Sequence, residues 1–442
     1  MSRAIARAAT PMAVVVTCLA ITTLDGLDLA MFGAVLPTLL EKKVWGITAI
    51  EAGLVGSLSL IGMMVGAMLA GYLIDRVGRR PVALMCVACF SVFTALCAVA
   101  PNLPLFAAFR LLGGLGFGGG LPTAIALTME YVPRERRQFY NGVIQTGFTI
   151  GGALVAILAI FVVPALGWHA LFAFGGVIGL VLLAIAFRTL PESLAFLTGR
   201  GRHDEAAALA AKYGVSSASE SGAALVARSA ERVSPLKSLF VPGFRTATVL
   251  FPLVSFCGLL CAYGMNTWIP QILRSSGYNL GSALTFLLAY YVGSGVGMVV
   301  LSGLADQFGP RRIVGGGFVC CGIAVAVLAL HPAQAAVYVL VLLIGFCSAS
   351  QTALSGFVGV YYPPAARGTA LGLAVGLGRL GGVVGPIMVG AIVGSSMGST
   401  GTFYAFAAIS VVAAVLTVLV PRGGLLDRSR TAAGGALTAE VA

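Results

Sequence analysis

The sequence predicts an all-α membrane protein of twelve transmembrane helices arranged as two six-helix, pseudo-symmetric bundles. Three observations carry this. Of its 442 residues, 59% are hydrophobic and only 10% charged, with a mean hydropathy of +1.00, whereas a soluble domain carries about 25% charged residues. Apolar runs near the ~20 residues needed to cross a bilayer recur as six, a polar break, and six more. Motifs that follow the second and fourth runs reappear, altered, after the eighth and tenth.

Taken in order, the first six spans cover about 12–40, 51–74, 81–100, 103–129, 139–163 and 168–189. The second six cover about 245–270, 281–304, 311–330, 335–360, 368–394 and 400–420. The organisation is therefore a tail (1–11), a bundle (12–189), a linker (190–244), a second bundle (245–420) and a Gly/Ala-rich end (421–442) that composition predicts to be disordered. An amphipathic helix is expected within the linker around Asp204–Tyr213. The first span begins the fold and is not a cleaved leader, because no small-residue cleavage site lies near it.

Charge fixes the orientation. Of 27 Lys and Arg, only Lys42, Lys43 and Arg274 lie in loops on one side, and Arg110 and Arg379 lie within spans. All the others fall on the side of the two termini, which the positive-inside rule makes cytoplasmic. The net charge of +12 is thus an orientation signal, and nucleic-acid binding is not expected. The expected location is a bacterial-type inner membrane, multi-pass, with the lipid bilayer as surroundings and a monomer as the form. The nine cysteines all lie in apolar runs and read as small buried hydrophobes, so neither a disulfide framework nor a metal site is expected. The letters Gly114-x-Gly116-x-x-Gly119 match a dinucleotide fingerprint, but no strand precedes them, so they read as close helix packing.

Within span one stand Asp25 and Asp28, one helical turn apart on a shared face. A carboxylate at mid-bilayer costs about 2.5–3.5 kcal/mol even on the lenient insertion scale. Two so close cannot both ionise cheaply, so one is expected to hold a proton that it can release. The structural alternative is an aspartate that only ties span one to a neighbour. Arg110 in span four must find an anion: a span-one Asp, a bound substrate, or the outer interface if it snorkels. Arg379 in span eleven carries a fork that suits a carboxylate, or else belongs to a cytoplasmic gate. Tyr263, Asn266 and Trp268 in span seven and Tyr290 in span eight could line an aromatic ligand or serve as interface anchors. Glu130, at the inner end of span four, is either a proton relay or an ion-pair partner of Arg134 or Arg137.

Gly71-Tyr-Leu-Ile-Asp75-Arg76-Val-Gly78-Arg79-Arg80 after span two is echoed by Gly303-Leu-Ala-Asp306-Gln-Phe-Gly309-Pro310-Arg311-Arg312 after span eight. Likewise Glu130 to Arg137 is echoed by Tyr361 to Thr369, which includes Arg367. Repeated halves suit a carrier whose bundles rock about a central site. The short charged loops, with Gly71, Asp75, Arg76, Gly78, Arg79, Arg80, Asp306, Arg311 and Arg367, read as a cytoplasmic latch. The 71–80 segment resembles the signature of the major facilitator superfamily. Asp25-Gly-Leu-Asp28, Pro191-Glu192-Ser193 and Asn266-Thr-Trp268-Ile-Pro270 resemble its aromatic acid:proton symporter branch, with Leu27 where that branch usually has an aromatic.

The resemblance implies the major facilitator fold and a secondary carrier, with both span-one aspartates necessary. Its substrate would be a small aromatic carboxylate of benzoate or hydroxybenzoate type, imported with protons, driven by the proton gradient and using no cofactor. A carrier for another organic acid or a sugar-like metabolite is the alternative. Neither a nucleophile–His cluster nor a phosphate loop is present, so enzymatic and ATP-driven functions are not expected.

Overall fold

The structure, a computed structural model, describes residues 11–214, 239–241 and 243–421. The tail before residue 11, the end beyond 421 and linker residues 215–238 and 242 lie outside them. Twelve helices among the described residues are long and apolar enough to cross a membrane.

The first six are α1 (Pro11–Glu41), α2 (Ala49–Val77), α3 (Arg79–Ala98), α4 (Leu103–Tyr131), α5 (Arg137–Leu166) and α6 (Trp168–Thr189). Two short linker helices follow, α7 (Leu194–Gly199) and α8 (His203–Tyr213), the second where amphipathicity predicts it. Then come α9 (Arg245–Ser275), α10 (Leu280–Phe308), α11 (Pro310–Leu328), α12 (Gln334–Ser348), α13 (Ser350–Tyr361), α14 (Pro364–Val393) and α15 (Gly398–Leu419). The tenth span, expected as one helix, is two, α12 and α13, meeting at Ala349. Ser348 bonds back to the carbonyl of Gly345 at 2.6 Å there, a side-chain intrusion that bends helices.

Local signals start and stop these helices. Thr48 and Glu51 form a capping box at α2 and Asn102 caps α4. Gly78 and Gly309 end α2 and α10 at φ 100° and 91°, values that a side chain rarely tolerates. The equivalent placement of these two glycines shows the repeat of the two halves at backbone level.

The chain divides into two compact units, Met1–Ser221 with Asn266–Leu288, and Gly222–Met265 with Ala289–Ala442. The expected division at the linker is thus modified, because the hairpin between α9 and α10 belongs to the first unit. The cause is local. Gly33 leaves room for the backbone at Asn266 and Thr267, Gly56 for the Thr267 methyl, and Arg274 pairs with Glu41. Within the first unit α2 packs on α4, α1 on α5, and α3 on both α4 and α6. Glycines permit this: a Cβ on Gly26 would collide with the Phe148 carbonyl, and one on Gly114 with that of Ser59. The second unit has its own core, in which Phe251, Val314, Phe357, Tyr361 and Ala413 are buried together. Large apolar residues such as Met68, Phe161, Val299 and Val339 remain exposed, as lipid contact requires.

Candidate functional site

Helix α1 is buried almost continuously from Leu24 to Leu39, and Asp28 lies in that stretch, 3% exposed. Arg110 of α4, 2% exposed, turns inward and donates from Nη1 to Asp28 Oδ1 at 2.5 Å. Of the partners open to it, the guanidinium therefore takes a span-one aspartate, and it does not snorkel. The Phe32 ring lies 5.2 Å below the guanidinium carbon, within cation–π range. Two atoms of the pair stay buried without partners, Asp28 Oδ2 and Arg110 Nε. An ion pair this dry holds together because each charge needs the other. The free Oδ2 is a ready acceptor for a proton, and a proton there weakens the hold on Arg110.

Asp25 lies one turn inward and occupies different surroundings. It lines a small cavity of about 10 Å³ with Ile21, Cys86, Phe90, Phe117 and Gly120. Its carboxylate approaches α4 where Gly120 has no side chain. The two aspartates share a helix face, and Asp28 ion-pairs with the arginine.

A second polar cluster forms where α3 begins and α4 and α6 end. Glu130 ion-pairs with Arg79, and it accepts hydrogen bonds from Ser193 Oγ at 2.8 Å and the Leu194 N–H at 2.7 Å. Its cation therefore comes from another helix and not from the adjacent turn, because α3 begins beside the end of α4. Glu192 caps α3: its Oε1 accepts from the N–H groups of Arg79 at 2.9 Å and Arg80 at 3.1 Å. A Cβ on Gly78 would strike that carboxylate. Arg80 donates to the Phe187 carbonyl and Arg200 to that of Arg76, at 2.8 and 2.7 Å. Gly71, Asp75 and Arg76 are exposed. In the second unit Arg311 donates to the Val418 carbonyl, while Asp306 and Arg367 are exposed.

Arg379 sits at the middle of α14, because that helix begins at Pro364. It is half-buried and has neither ion pair nor hydrogen bond among the described residues. One turn on, Gly382 faces the Tyr263 ring, and Gly378 faces Ser255. Gln351, beside the α12–α13 break, donates from Nε2 to Ser255 Oγ at 2.8 Å. Tyr290 is buried and its hydroxyl reaches the Ala262 carbonyl at 3.4 Å. Asn266 and Trp268 are 3% and 0% exposed, so packing already encloses both.

Glu192, Ser193, Ser255 and Trp45 take part through contacts that composition and spacing do not mark. Two polar residues, Ser350 and Gln351, inside an apolar run are a usable signal for the break in the tenth span. Nothing in spacing pairs Glu130 with Arg79, 51 positions away.

Twelve membrane-capable helices among the described residues, repeated halves, a buried ion pair at mid-span and charged loops are the build of a carrier. The chain belongs to the Major Facilitator Superfamily, whose family model matches residues 18–297 and 283–438. It is similar to the gentisate transporter of Corynebacterium glutamicum, 35% identical over 406 residues that cover 90% of this chain and 84% of the relative. The benzoate transport protein of Acinetobacter baylyi is 31% identical, covering 92% and 88%. The 4-hydroxybenzoate transporter of Pseudomonas putida is 32% identical, covering 84% of each. Among solved structures, the xylose transporter of E. coli in an inward-open conformation aligns at a TM-score of 0.76 and 17% identity, over 93% of this chain and 96% of that one. A bacterial homologue of the human lysosomal transporter Spinster aligns at 0.72 and 17%, over 94% and 98%. These two likenesses bear on the fold alone.

Proposed function

We propose that this protein imports a small aromatic carboxylate of benzoate or hydroxybenzoate type by proton symport, through alternating access in a bacterial inner membrane. Both termini are cytoplasmic, and the proton gradient is the driving force, with no cofactor. The observation that carries the reading is the buried Asp28–Arg110 pair in a chain whose relatives over most of its length transport gentisate, benzoate and 4-hydroxybenzoate.

In this mechanism Asp28 takes up a proton at the free Oδ2, the charge on the carboxylate is lost, and Arg110 is released to meet an anion or to move. Asp25, one turn inward and lining its own cavity, serves as the second proton-binding carboxylate. Arg379, unpaired and mid-helix, offers a two-pronged donor to the substrate carboxylate, and Tyr263 one turn away offers a face to the ring. Tyr290, in the same unit as Arg379 and Tyr263, adds a hydroxyl held at the Ala262 carbonyl. Glu130 with Arg79, and the paired loops with Asp75, Arg76, Arg80, Asp306, Arg311 and Arg367, brace the inner ends and exchange partners as the carrier turns over.

Uptake of labelled 4-hydroxybenzoate into proteoliposomes, with and without an imposed pH gradient, tests this. Accumulation should require an inwardly directed gradient and be competed by benzoate and gentisate but not by xylose. Uptake indifferent to the gradient would refute the symport, and competition by xylose alone would move the substrate to the sugars.

A further inference from the structure

The loop between α1 and α2 is backbone-strained. Lys43 has φ 44° and Trp45 φ 55°, both in the left-handed region although neither is glycine. Side chains seldom adopt this conformation, and they persist there only where the surroundings impose it. A 3-10 turn at Val44–Gly46 closes the loop, with Gly46 N–H bonded to the Lys43 carbonyl at 2.8 Å. The outcome is that the Trp45 indole is turned into the first unit.

There the ring meets Phe106 of α4 and Trp168 of α6, each at 5.4 Å between centroids. Phe106 is completely buried and Trp168 nearly so. Phe106 in turn lies 6.3 Å from Phe32, and Phe32 is the ring beneath the Arg110 guanidinium. Phe106 and Arg110 are one turn apart on the same helix. An unbroken row of rings therefore runs from the strained loop to the cation that holds Asp28. Trp45 itself is half-buried, and an anchor at a membrane interface would need neither the strain nor the contact with two buried rings.

We propose that Trp45 is a positioning residue, which through Phe106 and Phe32 holds Arg110 against Asp28. Its role in transport rests on the symport reading above, but the contact itself does not. Strain in the loop is offset by the packing of the indole, so the loop can turn outward when that packing loosens, and Arg110 then loses the ring beneath it. The titratable groups facing Asp28 are the Arg110 guanidinium and the Cys97 thiol of α3, with Asp25 behind it on α1.

The test uses Trp45→Ala and Trp45→Phe, with Trp45→Leu as a second truncation should the alanine variant fold poorly. The alanine and leucine variants should raise the half-saturation concentration for uptake about tenfold and shift its pH profile, while phenylalanine restores both. A merely structural tryptophan would lower the amount of folded protein and leave both readouts unchanged, which would overturn the proposal. Independently of transport, thermal unfolding of purified protein is compared for each truncation with and without Asp28→Asn. Because Asp28→Asn already unseats Arg110, the truncation should cost less in that background. An equal cost in both backgrounds overturns the proposal even if symport is correct, and a reduced cost supports it even if uptake ignores pH.

Discussion

Asp28 and Arg110 illustrate how one residue's cost becomes another's function. Each charge alone is expensive in this setting, and together they are tolerated with one carboxylate oxygen to spare. Asp28→Asn should abolish gradient-driven accumulation and also destabilise the protein by about 3–5 kcal/mol, because it strands a buried guanidinium. Adding Arg110→Gln should recover most of the stability and none of the accumulation, as read by thermal unfolding beside uptake. Arg379 should behave in the opposite way. It has no partner among the described residues, so Arg379→Ala should leave the unfolding temperature almost unmoved and raise the half-saturation concentration for benzoate about tenfold or more. Equal loss of stability at Arg379 would instead make it a packing residue.

Among elements, the decisive devices are glycines and one acidic cap. Helices α1 and α5 touch backbone to backbone at Gly26 and at Gly151, where any Cβ would overlap a carbonyl of the other helix. Gly26→Ala should therefore abolish the folded protein, measured as monodisperse material after solubilisation, although the change adds one methyl group. Glu192 closes the start of α3 by accepting backbone N–H groups of Arg79 and Arg80. Glu192→Ala should cost about 1–2 kcal/mol and speed hydrogen exchange at the first turn of α3. Exchange unchanged at those amides would show that the cap contributes nothing there. The short helix α8 is held by its own apolar stripe, with Ala206, Ala210 and Tyr213 buried and Tyr213 edge-on to Tyr131 at 5.0 Å.

At the level of the whole molecule, the span count is readable because a bilayer imposes it on composition directly: length and hydropathy each report one physical constraint. The Asp28–Arg110 pairing was readable as one of a few options, since a buried arginine must find an anion. What escaped were contacts set by three-dimensional arrival. The partner of Glu130 comes from the start of α3, the α9–α10 hairpin joins the first unit, and Trp45 is aimed by two left-handed residues that no propensity marks. The break at Ala349 is marked only by the short polar stretch Ser348 to Gln351, which the hydropathy of the flanking residues outweighs.

In a symporter, substrate and protons enter together. Proteoliposomes in a lightly buffered medium, given benzoate or 4-hydroxybenzoate with no imposed gradient, provide the most direct measurement. Symport draws protons inward, so the outside medium should turn alkaline on substrate addition, and vesicles carrying Asp28→Asn should give no such signal. Substrate entry at an undiminished rate with no change in external pH would contradict symport.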